Sequence, residues 1–188
     1  MARTLTIKSG GSAIREGWHE VTIKKAEYGT YNESNYMDVW FHELPDGLNM
    51  RVYETTDAQG NEFAVGSIFR FANAGIKKVL DGPNGEKSVT IDDNPNLLRD
   101  HKLNVYLYPD PKNPKYNRVL KQPAPTVFEN EIETFSETDV KFWMDKAESY
   151  YEKYVKNPTS NTNGVPTTVN LENTPVAQTK SDTVDIPF

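Results

Sequence analysis

Alternation of apolar and polar residues in several short segments constrains the fold of this chain more than any other feature of its sequence. Successive side chains of a β-strand point to opposite faces of its sheet, so alternation marks a strand with one apolar and one polar face. Such alternation runs through residues 18–28, 36–41, 48–55 and 102–108. A fifth strand is predicted at residues 116–122, and turn-forming Pro, Gly, Asn and Asp residues separate the segments. The sequence therefore predicts a mainly β fold of short antiparallel strands.

The spacing of apolar residues changes in two places. Residues 63–80 carry apolar side chains at intervals of three and four, which predicts a helix. A second helix is predicted at residues 136–155, where Ser136 and Asp139 resemble a capping box. Three strands, a helix and two further strands indicate a five-stranded OB-type Greek-key barrel, a fold that binds oligonucleotides or oligosaccharides. We therefore expect such a barrel, with a helix between strands three and four, a C-terminal helix and a disordered tail.

The tail is predicted from a shift in composition after Lys156. Residues 157–188 contain seven Thr, five Asn and four Pro, and their only aromatic residue is Phe188. Such a segment has too little apolar surface to offset the entropy lost on ordering, so it is predicted to be disordered. The expected organisation is an N-terminal arm (1–16), an OB-type domain (17–125), a helix packed on or extending that domain (126–156), and the tail (157–188).

Composition excludes several classes of function. The chain has no Cys, which excludes disulfides, thiol catalysis and Cys-ligated metal sites. Its three His residues are far apart and lack metal-ligand spacing, so neither a metal nor another cofactor is expected. With 21 Lys and Arg against 27 Asp and Glu, the formal net charge is −6, which still allows a local basic groove. The sequence has neither an apolar run of about 18 residues nor a secretory leader, so a cytoplasmic location is expected.

Two predicted strands carry aromatic and charged side chains on the face opposite their apolar row. These side chains are Tyr36 and Trp40 on the second strand and Arg51 and Tyr53 on the third. If the apolar rows fill a barrel, the opposite rows point outward, where bases stack on aromatic rings at about 1–3 kcal/mol each. The alternative is that Trp40 and Tyr53 fill a second small core under the C-terminal helix, and that Tyr36 is an ordinary surface residue.

A basic run follows the fourth strand, with four Lys or Arg and no acid in ten residues. Basic side chains interleaved with aromatic ones are typical of grooves that bind phosphates and stack bases. The alternative is a solvated hairpin whose charges protect a sheet edge. The residues of this second candidate site are Lys112, Lys115, Arg118 and Lys121, together with Tyr106, Tyr108 and Tyr116.

The tail ends in a short acidic and apolar motif, formed by Asp182, Asp185, Ile186, Pro187 and Phe188. This motif resembles the acidic Ile-Pro-Phe tip of bacterial and phage single-stranded DNA-binding proteins. Residues 17–27 and 37–41 are similar to the opening of the phage-encoded members of that family. The resemblance implies an OB-fold, a bacterial host cytoplasm, and a tail that recruits a polymerase, helicase, primase or nuclease.

These observations predict a non-enzymatic, phage-encoded protein that coats and protects single-stranded DNA in replication, recombination or repair, without reading its sequence. RNA also offers phosphates and stacking bases, so these residues do not indicate whether the protein prefers DNA or RNA. The alternative is a non-DNA OB-type binding module, such as an oligosaccharide binder or a phage assembly protein, with an incidental tail. A hydrolase that uses Asp92, Asp93 or the acids of 129–139 is least favoured. The aromatic stripe of residues 140–154 predicts a core or a dimer seam, so a homodimer is a further alternative.

Overall fold

The structure is a computed structural model, and it describes residues 14–82, 87–130 and 132–157. These residues form nine β-strands and two α-helices. The strands are β1 (Gly17–Tyr31), β2 (Ser34–Phe41), β3 (Met50–Tyr53), β4 (Ile76–Asp81), β5 (Lys87–Ile91), β6 (Lys102–Asp110), β7 (Asn113–Val119), β8 (Phe128–Glu129) and β9 (Thr134–Phe135). The helices are α1 (Ala64–Phe71) and α2 (Glu137–Tyr150), with a 3-10 turn at Pro95–Leu98 and a π-helical segment at Tyr151–Lys156 that continues α2.

Five of the strands form one antiparallel sheet in the order β3-β2-β1-β6-β7. The central strand β1 belongs to two ladders. Its first part, from Gly17 to Thr22, pairs with β6, and its second part, from Ile23 to Tyr31, pairs with β2. A register shift between Ile23 and Lys25 lies at the junction, and such bulges bend a strand and increase its twist. The edge strands β3 and β7 both contribute residues to the wall of one cleft.

The apolar rows predicted from the alternation form the core of this sheet, as expected. Each row is almost completely removed from solvent, which stabilises the fold by roughly 1.5–3 kcal/mol per large side chain. The buried rows are Met37, Val39 and Phe41 of β2, Met50 and Val52 of β3, and Leu103, Val105 and Leu107 of β6.

The first turn is tighter than the sequence predicts. The alternating segments 18–28 and 36–41 leave residues 29–35 to a turn, but β1 continues to Tyr31 and β2 begins at Ser34. Asn32 and Glu33 form the turn, and both have positive φ angles, of 46° and 65°. Paired positive φ angles are typical of the two-residue turns that match the twist of a hairpin. Gly29 therefore lies within the strand.

The helix predicted at residues 63–80 is wrong in its second half. Helix α1 ends at Phe71, Asn73 then takes a left-handed φ of 52°, and the Ala74 backbone N–H donates to the Phe69 carbonyl at 2.9 Å. Gly75 follows with a φ of +67°. A Cβ atom at Gly75 would collide with the backbone oxygen of Asp92. The following residues form β4, which pairs antiparallel with β5 as a separate hairpin. Short apolar runs fit both helix and strand periods, and here the left-handed residues Asn73 and Gly75 separate the two elements.

The predicted C-terminal helix is confirmed, including its start. The Ser136 hydroxyl accepts a hydrogen bond from the Asp139 backbone N–H, and the Asp139 carboxylate accepts one from the Ser136 backbone N–H. This reciprocal capping box satisfies two N–H groups that a helix start leaves unpaired. Trp143 and Ala147 of α2 face the protein, and the Trp143 ring packs on Phe71 of α1 with 4.9 Å between ring centres.

The sheet is open on the side of its two edge strands. Within residues 14–82, 87–130 and 132–157, no ladder joins β3 to β7, so the predicted closure into a barrel is not observed. The fold of these residues is mainly β, with a five-stranded antiparallel sheet, two accessory hairpins and few helices.

Candidate nucleic-acid interface

A cleft of about 1340 Å³ lies between the edge strands β3 and β7 and opens to solvent. Its walls come from the residues before β1, the turn between β2 and β3, β3 itself, the β6–β7 hairpin, and the end of α2 with its π-helical extension. Pockets for small molecules usually measure roughly 300–1,000 Å³ and enclose their ligand. A larger and open cleft suits an extended polymer better.

Positive charge is concentrated in this cleft although the whole chain is acidic. Of the residues that the structure describes, five basic and two acidic side chains line it, whereas the formal net charge of the protein is −6. A cleft lined mainly by one sign of charge focuses the field and raises the local concentration of oppositely charged partners. The basic residues are Arg15, Arg51, Lys115, Arg118 and Lys121, and the acidic residues are Glu16 and Asp110.

The β6–β7 hairpin fixes one of these cations in place. Asp110 accepts a hydrogen bond from the backbone N–H of Lys112 at 2.9 Å and another from Nε of Arg118 at 2.7 Å. Both interactions lower the pKa of Asp110, the Lys112 hydrogen bond most strongly. Arg118 and Tyr116 line the cleft, and the Tyr116 side chain is 66% exposed. Lys112 belongs to the turn and lies outside the cleft lining.

The two cleft lysines differ from Arg118 because they have no acidic partner among the described residues. Neither Lys115 nor Lys121 forms an ion pair with a described carboxylate. The ammonium group of Lys121 lies 5.4 Å from the centre of the Tyr150 ring. Both lysines are exposed and line the cleft, so their charge is available to an anion.

Arg51 connects the cleft with the outer face of β2 and β3. Its Nε and Nη2 atoms donate to the two carboxylate oxygens of Asp38 at 2.8 and 2.6 Å, and Asn49 donates a third hydrogen bond at 2.9 Å. The hydrogen bond with Asp38 raises the pKa of Arg51, and the guanidinium carbon lies 3.9 Å from the centre of the Tyr36 ring. The Asp38 side chain is only 9% exposed, whereas that of Arg51 is 42% exposed. Arg51 can therefore contact a ligand while it neutralises a buried carboxylate.

The predicted aromatic face lies beside the cleft rather than within it. Trp40 is half-buried, and the ammonium group of Lys25 lies 4.1 Å from the centre of its ring. Tyr36 and Tyr53 pack edge to face with 5.6 Å between ring centres, and Tyr53 remains exposed. The Tyr36 ring also covers Gly29, where a Cβ atom would collide with it. The Tyr36 ring lies against Arg51 and Tyr53 packs on Tyr36, so the aromatic face and the cleft meet at Arg51.

The C-terminal helix covers a second aromatic core, as the alternative interpretation in the sequence analysis predicts. Residues other than Trp40 and Tyr53 form this core. The Tyr151 ring packs against Tyr106 and Tyr108 with ring centres 5.3 and 5.1 Å apart. Trp18 packs on Tyr106, and its indole N–H donates to the Glu148 carboxylate at 2.6 Å. Burial raises the pKa of both Tyr106 and Tyr108. Tyr106 is thus engaged in packing, whereas Tyr108 also lines the cleft.

Sequence reasoning missed several residues of the cleft. Arg15 and the turn between β2 and β3 line it without any pattern in the sequence that marks them. Tyr150 and Val155 line it from the C-terminal helix, in the stripe that predicted a core or a dimer seam. The interleaving of Tyr and Lys in residues 150–156 was the available signal for this wall.

Three of the acids considered for a hydrolase, Asp92, Glu133 and Asp139, are engaged in structural contacts. Asp92 pairs with Lys77 at 3.0 Å, which lowers the pKa of Asp92, whereas a general acid needs a raised value. Glu133 is buried against Arg70 at 2.7 Å, and Asp139 belongs to the capping box of α2. Among the described residues, no group of three or more His, Asp or Glu side chains could hold a metal ion.

The predicted partner-binding motif, from Asp182 to Phe188, lies outside the described residues. In the part of the chain that the structure describes, no helix is both long enough and apolar enough to cross a bilayer. Comparison of the chain with protein-family models, with curated proteins and with solved structures finds no match.

Proposed function

We propose that this chain is a phage-encoded single-stranded DNA-binding protein without enzymatic activity. It coats and protects exposed strands during replication, recombination or repair in the cytoplasm of a bacterial host, and it does not read base sequence. The observation that carries this proposal is the cleft between β3 and β7, where, among the described residues, five basic and two acidic side chains and several tyrosines gather on an acidic protein.

The cleft offers both interactions that sequence-independent binding requires. Lys115, Lys121 and Arg118 contact phosphates, and each phosphate contact releases condensed counterions. Bases stack on Tyr116 and on the accessible part of Tyr108, since every base has a π-face. Neither interaction distinguishes one base from another, so the expected binding is uniform across sequences.

The aromatic face of β2 and β3 extends this site. Arg51 lies both in the cleft and against Tyr36, and Tyr53 and Trp40 lie on the same outer face. A strand that crosses the cleft at Arg51 therefore continues over these rings. Such a path combines one groove for the backbone with a platform for bases, as single-strand-binding folds do.

The strand order and the open cleft support the proposal of an OB-type fold. An OB-fold is a five-stranded and partly open Greek-key barrel that binds oligonucleotides on its second and third strands and nearby loops. Here the order β3-β2-β1-β6-β7 places an open cleft between the two edge strands. The proposed site occupies that opening and the outer face of β2 and β3.

The tail completes the proposal with a protein partner. Asp185, Ile186, Pro187 and Phe188 resemble a tip that binds replication or recombination proteins. Pro187 restricts the backbone and so lowers the entropy lost on docking, while Ile186 and Phe188 provide an apolar anchor.

A second candidate is an OB-type binding module that does not bind DNA, such as an oligosaccharide binder or a phage assembly protein. Aromatic rings such as Tyr116 and Tyr53 would also suit sugars. The positive charge of the cleft favours a polyanion over a neutral glycan, because basic residues would otherwise lose hydration without a partner.

A fluorescence titration tests the proposal, with oligo-dT, duplex DNA and RNA at two salt concentrations. Binding of oligo-dT that weakens steeply with salt, and that exceeds binding of the duplex, is the expected result. Absence of oligo-dT binding, or binding that does not depend on salt, would contradict it. The RNA titration establishes which strand the cleft prefers.

A further inference from the structure

We infer that the C-terminal helix carries a second segment of the nucleic-acid site, over which a strand leaving the cleft continues across Tyr150 and Tyr154. This inference rests on the proposed function and extends it to a surface outside the sheet. The class of ligand is single-stranded nucleic acid, and the helix adds stacking positions to those of the cleft.

The geometry of the helix end supports this path. Tyr150 lines the cleft, and its ring lies 5.1 Å from that of Tyr154 at an interplanar angle of 45°. The Lys121 ammonium lies 5.4 Å from the Tyr150 ring centre, and the Lys153 ammonium lies 4.9 Å from that of Tyr154. Two adjacent rings, each with a cation nearby, repeat the phosphate-and-stacking arrangement outside the cleft.

One of the neighbouring acids is neutralised by its own partner, because Glu152 is paired with Lys156 at 2.8 Å. The Glu148 carboxylate keeps its charge and accepts a hydrogen bond from the Trp18 indole N–H at 2.6 Å. Lys153 and Lys121 form no ion pair with a carboxylate of the described residues. Charge complementarity therefore favours a phosphate backbone along this surface, which is continuous with the cleft at Tyr150.

The packing of the helix against the core leaves the rings of Tyr150 and Tyr154 partly accessible to a ligand. Tyr151, the residue after Tyr150, fills the core against Tyr106 and Tyr108. Tyr154 is 40% exposed, and among the described residues its aromatic and cation–π partners are Tyr150 and Lys153 of its own helix. Residues Tyr151–Lys156 form a π-helical segment, and such segments occur frequently at functional sites.

The test is the dependence of affinity on strand length, measured with the full chain and with oligo-dT of about 4 to about 16 nucleotides, the range of OB-fold site sizes. For Tyr154→Ala we expect unchanged affinity for the shortest strands, which fill only the cleft. For the longest strands we expect affinity about fivefold lower or weaker still, since one stacking ring is lost. Tyr154→Phe keeps a ring and should behave as the wild type.

Tyr31→Ala is the matched control, because Tyr31 is an exposed tyrosine outside the cleft lining and the helix. It should leave the affinity unchanged at every strand length. Lys153→Gln, which truncates no ring, should weaken the salt dependence for long strands only. Circular dichroism verifies that each variant is folded.

Two outcomes overturn the inference and remain distinguishable. If the wild type binds oligo-dT and neither Tyr154→Ala nor Lys153→Gln alters the length dependence, the helix lies off the path although the cleft proposal stands. If the wild type binds no oligo-dT of any length, the proposed function fails together with this extension of it.

Discussion

Neutralising the two unpaired lysines of the cleft should flatten the salt dependence of single-strand binding. Lys115 and Lys121 line the cleft without an acidic partner among the described residues, so a bound phosphate can neutralise each of them fully. Arg118 already shares its charge with Asp110 at 2.7 Å. Lys115→Gln with Lys121→Gln is therefore the variant with the largest expected effect, and Arg118→Gln should change the salt dependence less.

The expected size follows from counterion release. Each phosphate contact with a single strand contributes about 0.7 to the slope of log K against log salt, so the loss of two contacts lowers the slope by about 1.4. Between 50 and 200 mM salt, the wild type should then lose about sevenfold more affinity than the double variant. The change should be equal for different base sequences, because phosphates carry no sequence information.

The assay is a fluorescence titration with oligo-dT and with a mixed-sequence strand at four or more salt concentrations. Lys78→Gln with Lys87→Gln is the matched control, because it removes the same charge from exposed positions of the β4–β5 hairpin, outside the cleft lining. The control should keep the wild-type slope. An unaltered slope in the cleft variant, or an equal change in both variants, would refute the assignment of the phosphate path to the cleft.

Four further predictions concern other parts of the chain. Trp40→Ala and Tyr53→Ala should each weaken oligo-dT binding by about 1–3 kcal/mol in a folded protein, and unchanged titration curves would remove these rings from the site. Ser136→Ala should lower the free energy of unfolding by about 1 kcal/mol in urea, because the capping box of α2 is lost; wild-type stability would contradict that role. Deletion of residues 181–188 should tighten DNA binding modestly at low salt, since a tethered acidic segment no longer competes for the groove. Phe188→Ala should abolish pull-down of replication proteins at unchanged oligo-dT affinity, and retained pull-down would argue against the proposed tail.

The strands were predictable because alternation is a local property that survives folding. The apolar rows of β2, β3 and β6 are all buried, as the period of two requires, whereas the opposite row of β6 is itself partly covered by the π-helical extension of α2. The capping box at Ser136 was equally local, since it depends on two side chains three positions apart. The second half of the predicted 63–80 helix failed because Gly75 and the pairing of β4 with β5 override a spacing that fits both periods.

The candidate site was predicted only where its residues share one hairpin or one strand. The run from Lys115 to Lys121 does line the cleft, and Arg51 does so from β3. The partnership of Arg51 with Asp38, and the packing of Tyr106 under Tyr151, could not be predicted, because both depend on register and on the position of α2. A sequence pattern places side chains on a face, but only the assembled sheet determines which face stays open.

The central claim is that a single strand occupies the cleft between β3 and β7, and photochemical crosslinking tests it most directly. Ultraviolet irradiation of the full chain with oligo-dT, followed by mass spectrometry of the crosslinked peptides, locates the bound strand residue by residue. The account predicts crosslinks at Tyr116 and Tyr108, with further ones at Tyr53 or Trp40, and their loss at high salt. Crosslinks confined to residues outside the cleft and the outer face of β2 and β3, or a yield that salt does not change, would contradict it.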